Sequence, residues 1–191
     1  MKNHRPATSP LHTRHQQLWT RRQLLLAAAG GSLALLFGLP AGAAVPPAEQ
    51  AWPVLDAVQQ QLFPDEAEAP GARAIHALDY LRGVLEDPRV DQADKDFILQ
   101  GVQWLEQLSQ DRHGAGFLQL EQPLQAQLLQ QIARSQAGEN WLSTLLTYIF
   151  EALLTAPAYG GNPEGIGWKW LRYTPGFPLP DQHTVHWKLP R

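Results

Sequence analysis

The sequence of 191 residues contains no cysteine and a single methionine. Without cysteine, the chain cannot form disulfides, thiolate zinc sites, iron–sulfur clusters or a thioether-linked haem, and it has no cysteine nucleophile. Charged residues make up only 17% of the chain, whereas 44% of the residues are hydrophobic. This balance argues against a highly charged disordered protein and predicts one domain with a sizeable core, or one domain with a tail.

Acidic residues are absent from the first 48 positions, and the first one is Glu49. The same segment contains five of the 15 basic residues, so the rest of the chain has ten bases against 18 acids. The net charge of −3 is therefore the average of a basic lead and a remainder with a net charge of −8. A remainder of this sign, without a basic stripe that carries aromatics, argues against nucleic acid as a partner.

The basic lead has the three parts of a secretory signal. Paired arginines end the basic stretch, an apolar run follows over residues 24–39, and small residues come next in the alternate spacing that signal peptidase reads. Paired arginines followed one residue later by leucines resemble a twin-arginine (Tat) signal. The Tat system exports folded proteins. The general secretory route is the alternative. We therefore predict that residues 1–43 are recognised by the Tat translocase and direct export to the periplasm. The residues assigned to this signal are Arg21, Arg22, Leu24, Leu25, Ala41 and Ala43.

The apolar run over residues 24–39 could instead remain in the membrane as an anchor. It is shorter than the roughly 20 residues that span a bilayer. Its three glycines and one serine also lower its hydropathy. A cleaved signal is therefore the favoured interpretation, with the retained anchor as the alternative.

Residues 44–156 show the periodicity of helices rather than of strands. The last apolar stretch, 141–154, has a wide apolar arc, which predicts the central core helix. Residues 138–140 (Gly-Glu-Asn) are expected to separate it from the helix before it. We predict a single all-α domain of about five short helices. These helices are expected to begin near Pro53, Ala72, Asp91, Pro123 and Trp141.

The last 35 residues, 157–191, differ in composition from the helical region. Five glycines and six prolines exclude helix over most of this segment, yet its six aromatic residues are too many for a solvated linker. We predict an ordered, non-helical tail that packs on its own domain or on a partner. Both alternatives stay open for the aromatics, because Trp and Tyr are also favoured anchors at interfaces.

Residues 158–170 read Ala-Tyr-Gly-Gly-Asn-Pro-Glu-Gly-Ile-Gly-Trp-Lys-Trp. This segment resembles the Tyr-Gly-Gly-Asn-x-x-x-x-Gly-Trp signature of the gluconate 2-dehydrogenase small (third) subunit family. The later Pro-Gly-Phe-Pro at 175–178 and the order of the upstream elements also resemble that family. The resemblance implies a non-catalytic accessory subunit of a periplasmic, membrane-associated sugar or polyol dehydrogenase.

The resemblance also implies what the partners are. The large subunit would be an FAD enzyme of the glucose–methanol–choline class, and a cytochrome c subunit with haem c often receives its electrons. The small subunit would bind no cofactor itself, assist assembly of the flavoprotein, and carry the Tat signal that exports both. The residues assigned to the partner interface are Tyr159, Gly160, Gly161, Asn162, Gly165, Gly167, Trp168 and Trp170.

An enzyme in its own right would need a cofactor motif or a converging set of polar residues, and the sequence offers neither. Its glycines do not have the Gly-x-Gly-x-x-Gly spacing after a strand, no Walker lysine follows them, and no Gly-x-Ser-x-Gly occurs. We therefore predict no catalytic and no metal-binding residues. The remaining alternative is a free-standing periplasmic binding or scaffold protein.

Overall fold

The computed structural model describes residues 48–181 and 183–184, and within these residues it contains six α-helices and no β-strand. Three 3-10 turns lie at Phe117–Gln119, Pro157–Tyr159 and Pro163–Gly165. The predicted all-α single domain is confirmed, and the predicted export signal, residues 1–43, lies outside the described residues. The helices are α1 (Ala48–Leu62), α2 (Ala77–Glu86), α3 (Gln92–His113), α4 (Gln122–Ile132), α5 (Gln136–Leu154) and α6 (Ile166–Leu171).

The helix α5 lies at the centre of the fold and contacts α1, α2, α3 and α6. Trp141, near its start, is fully buried and donates a hydrogen bond from Nε1 to the carbonyl oxygen of Ile98 on α3, at 2.9 Å. A Cβ on Gly101 would overlap the indole ring of Trp141, so only glycine leaves room for this ring at the α3–α5 contact. The central position of α5, predicted from its wide apolar arc, is therefore confirmed.

The first two helices do not begin where the sequence predicts. α1 begins five residues before Pro53, which places this proline in the second turn instead of the first. α2 begins five residues after the expected Ala72, because His76 has a left-handed backbone (φ 56°, ψ 42°) that a continuous helix cannot contain. The loop before it is held by Asp65, whose Oδ1 accepts a hydrogen bond from the Gly71 N–H at 2.7 Å.

The boundary before α5 also differs from the prediction. Ser135 is the N-cap, and its Oγ accepts a hydrogen bond from the Gly138 N–H at 3.0 Å. The predicted break at residues 138–140 is therefore wrong, since these residues belong to the first turns of α5. A Cβ on Gly138 would overlap the carbonyl oxygen of Ile132 at the end of α4. The glycine permits close packing of two helix ends and does not interrupt the helix.

The C-terminal region, predicted to be non-helical, contains the short helix α6. Two 3-10 turns lead into this helix, and α6 itself packs on α5. After it, residues 172–181 contain turns and bends but no helix. The region therefore packs on its own domain through α6, which is the first of the two alternatives left open by the sequence.

Candidate functional site

The residues that carry the family resemblance, 158–170, form what we call the glycine–tryptophan segment. This segment runs from the end of α5 across the turn before α2 and back onto α5 as α6. Two of its residues, Asn162 and Trp168, donate hydrogen bonds to backbone carbonyl oxygens outside the segment. Its geometry therefore shows which of its residues serve packing and which remain accessible.

Asn162 is fully buried and connects three parts of the chain. Its Nδ2 donates to the carbonyl oxygen of Thr155 at 2.9 Å, and its Oδ1 accepts from the Gly167 N–H at 2.7 Å. Its own N–H donates to the carbonyl oxygen of Ile75 at 2.9 Å. The left-handed backbone at this position (φ 51°, ψ 52°) is one that asparagine adopts more readily than most residues. Both ends of the amide are thus used inside the chain.

Four glycines of the segment have two different reasons to be glycine. A Cβ on Gly161 would lie 2.7 Å from a backbone carbonyl oxygen of α5, and a Cβ on Gly167 would overlap another one. Gly160 and Gly165 instead have positive φ angles of 92° and 69°, which favour glycine. The first pair allows close approach to α5, and the second pair makes the turns that bring the chain there.

The three aromatic residues of the segment lie in different environments. Trp168 is buried, and its Nε1 donates to the carbonyl oxygen of Leu154 at 2.8 Å. Tyr159 is half-buried, whereas Trp170 has 41% of its surface exposed. Contact with a partner stays a prediction for all eight assigned residues, but five of them are buried within this chain. These five are Gly161, Asn162, Gly165, Gly167 and Trp168.

Beside the segment, the outer side of α5 exposes large apolar side chains. Phe150 is 49% exposed and Leu154 is 53% exposed. Together with neighbouring residues they line a shallow groove of about 450 Å³, which we call the α5 groove. The apolar pattern of residues 141–154 predicts a central core helix but does not separate these two residues from its buried face. An apolar arc wider than one buried face needs was the signal that could have revealed the groove. The lining residues are Tyr80, Thr147, Phe150, Glu151, Leu154 and Thr155.

A tyrosine–carboxylate pair lies in the wall of the α5 groove. The Tyr80 hydroxyl donates a hydrogen bond to Oε2 of Glu151 at 3.1 Å. Burial of the phenol, together with the nearby Glu151 carboxylate, raises the pKa of Tyr80 above its usual range, so the hydroxyl stays a donor in alkaline solution as well as at neutral pH. Among the described residues, no basic side chain forms an ion pair with Glu151. The groove therefore presents a carboxylate that can accept a charge-assisted hydrogen bond.

Within residues 48–181 and 183–184, no three histidine or acidic side chains come together in a way that could hold a metal ion. No helix in this part of the chain combines the length and the hydropathy of a membrane span. Asp181 instead closes a turn, since its Oδ1 accepts hydrogen bonds from the N–H groups of His183 and Thr184 at 2.7 and 2.9 Å.

A family model described as gluconate 2-dehydrogenase subunit 3 matches residues 49–176. The chain belongs to this family. The match includes nearly all of α1, the other five helices, the α5 groove and the whole glycine–tryptophan segment. The family takes its description from one subunit of a dehydrogenase, so its members stand beside other subunits in a complex. Comparisons with curated proteins and with solved structures give no significant match.

Proposed function

We propose that the chain is a non-catalytic accessory subunit of a periplasmic, FAD-dependent dehydrogenase of the glucose–methanol–choline class that oxidises a sugar or polyol. The match to gluconate 2-dehydrogenase subunit 3 over residues 49–176 carries this proposal. In this function FAD lies on the large subunit, haem c lies on a cytochrome c subunit where one is present, and the small subunit associates with the membrane through the complex.

The geometry of the described residues supports a binding role. The polar side chain at the centre of the glycine–tryptophan segment, Asn162, uses both its amide nitrogen and its amide oxygen in hydrogen bonds within the chain. In contrast, large apolar side chains remain accessible on α5 and α6, among them Phe150, Leu154 and Trp170. Exposed apolar residues that lie together are typical of protein interaction sites. These exposed side chains therefore support a role in binding another protein.

The second part of the proposal concerns export of the flavoprotein. The acid-free, basic lead with its paired arginines supports a Tat signal in this chain. Because the Tat route accepts folded cargo, one signal on the small subunit can export a flavoprotein that has already bound FAD. The small subunit would then be needed both for assembly in the cytoplasm and for export of the assembled pair.

Replacement of both Arg21 and Arg22 by lysine tests the shared signal. We expect the flavoprotein to remain in the cytoplasm together with this chain, as measured by FAD-dependent dye reduction in periplasmic and cytoplasmic fractions. Replacement of Arg5 and Arg14 by lysine is the matched control, since it changes two arginines of the same lead outside the paired motif. If the Arg21→Lys, Arg22→Lys variant still delivers normal flavoprotein activity to the periplasm, the shared signal is refuted.

Purification separates the accessory subunit from a free-standing scaffold protein. We expect the tagged chain, isolated from the periplasm, to elute with an FAD protein in equal molar amounts, with the flavin on the larger chain. Elution as a flavin-free monomer would instead support the scaffold alternative. Flavin on the tagged chain itself would contradict the non-catalytic assignment.

A further inference from the structure

We infer that the α5 groove is the docking site for the flavoprotein subunit, and that the partner fills it with an apolar segment that carries a basic residue. The identity of the partner rests on the proposed function. The location and the chemistry of the contact rest on the described residues alone.

The apolar part of the groove is formed by Phe150 and Leu154. They lie four residues apart on α5 and therefore share one face of the helix. The Phe150 ring meets the ring of Phe63 edge to face, with centroids 6.2 Å apart, yet about half of Phe150 remains exposed. This ring is fixed on one side and accessible on the other, as expected of a preorganised contact for an apolar segment.

The charged part of the groove is the carboxylate of Glu151. It lies between the two apolar residues in sequence and accepts the hydrogen bond from Tyr80 that fixes its position. A basic side chain of the partner would complete the hydrogen bonding of this carboxylate, with an ion pair partly shielded from solvent by the apolar rim. The net charge of −8 beyond residue 48 also favours a partner with a basic surface.

A second copy of this chain is a poorer occupant than the flavoprotein. None of the six residues that line the groove is basic. Two copies that met symmetrically through this surface would place one Glu151 carboxylate opposite another, which is unfavourable. The single acidic group in an apolar surface therefore favours a different chain with complementary charge.

The Phe150→Ser, Leu154→Ser double variant tests the apolar contact in the full chain. Both residues are already half exposed, so we expect the far-UV circular dichroism to stay unchanged. We expect at least a tenfold loss of FAD protein and dye-reducing activity retained on the tagged chain. Leu118→Ser is the matched control, because Leu118 is 47% exposed but lies in the turn between α3 and α4. It should retain the flavoprotein as the unmodified chain does.

The Glu151→Lys variant tests the charge independently of the apolar residues. We expect weaker retention of the flavoprotein, and retention by the unmodified chain should fall as salt is raised while that of the variant should not. Undiminished flavoprotein retention by both the double variant and the Glu151→Lys variant would overturn the inference and leave the proposed function intact. Loss of self-association with unchanged flavoprotein retention would also overturn it. If the unmodified chain retains no flavoprotein at all, the proposed function itself fails.

Discussion

The packing of α6 on α5 can be tested with two identical substitutions that should have opposite effects. Gly83 lies in α2 and Gly167 lies in α6, so both are helical glycines. Alanine is a better helix former than glycine by roughly 1 kcal/mol. Helix propensity alone therefore predicts that Gly83→Ala and Gly167→Ala stabilise the protein equally.

The surroundings of the two glycines separate the predictions. No heavy atom lies within 4 Å of the position that a Cβ on Gly83 would take. A Cβ on Gly167 would overlap the carbonyl oxygen of Leu153 and lie 2.7 Å from its Cδ1. The carbonyl belongs to a packed helix and cannot rotate away, so α6 must move outward. That movement weakens the hydrogen bond from Trp168 Nε1 to the carbonyl oxygen of Leu154, which is 2.8 Å long.

The expected magnitudes follow from these contacts. Overpacking costs about 1–3 kcal/mol, the lost hydrogen bond about 1 kcal/mol, and the propensity gain returns about 1 kcal/mol. Gly167→Ala should therefore destabilise the protein by about 1–3 kcal/mol, whereas Gly83→Ala should stabilise it by about 1 kcal/mol. Urea unfolding followed by circular dichroism measures both free energies. Equal stabilisation by the two variants would refute the close packing of α6 on α5.

Two further predictions concern the buried amide and the groove tyrosine. Asn162→Ala should lower the free energy of unfolding by about 2–4 kcal/mol in the same urea assay. The reason is that it leaves the Thr155 carbonyl and the Gly167 N–H without their partner. A loss below about 0.5 kcal/mol would contradict the structural role of the Asn162 amide. The raised pKa of Tyr80 means that, above the ordinary tyrosine pKa of about 10, the unfolded chain loses this proton while the folded chain keeps it. Stability should therefore fall as pH rises beyond that value, and Tyr80→Phe should reduce the slope of Tm against pH there and leave it unchanged near neutral pH. An identical alkaline slope in both proteins would show that Tyr80 is not buried beside Glu151 in solution.

The sequence predicts the class and the centre of this fold better than its boundaries. Helical periodicity and the wide apolar arc around Trp141 are local properties, and they identify the helical domain and its central helix correctly. The start of α2 depends on the left-handed backbone of His76. The start of α5 is set by the Ser135 cap, and Gly138 lies inside this helix where it packs closely on Ile132. These are conformations and contacts that a periodicity count does not contain, so both boundaries were misplaced.

The candidate site shows the same division between local and long-range information. The glycines and tryptophans of the glycine–tryptophan segment are visible in the sequence, but their environment is not. Asn162 is buried because its backbone N–H reaches Ile75 and its side chain reaches Thr155, which are contacts that the fold creates. Phe150 is half exposed although its spacing fits the apolar arc, because no element among the described residues fully covers that part of α5.

The glycine–tryptophan segment can affect partner binding without touching the partner. Trp168 Nε1 donates a hydrogen bond to the carbonyl oxygen of Leu154, so the segment fixes the end of α5 where the groove lies. Asn162→Ala should therefore weaken both stability and flavoprotein binding, whereas the Phe150→Ser, Leu154→Ser variant, which removes half-exposed side chains, should weaken binding far more than stability. A bound partner stabilises the folded chain by RT ln(1 + [L]/Kd), about 2.7 kcal/mol at a concentration of 100 Kd. Excess flavoprotein should hence restore much of the Tm that Asn162→Ala loses. It should not change the Tm of the groove variant, because only the Asn162→Ala variant keeps the side chains of the contact surface.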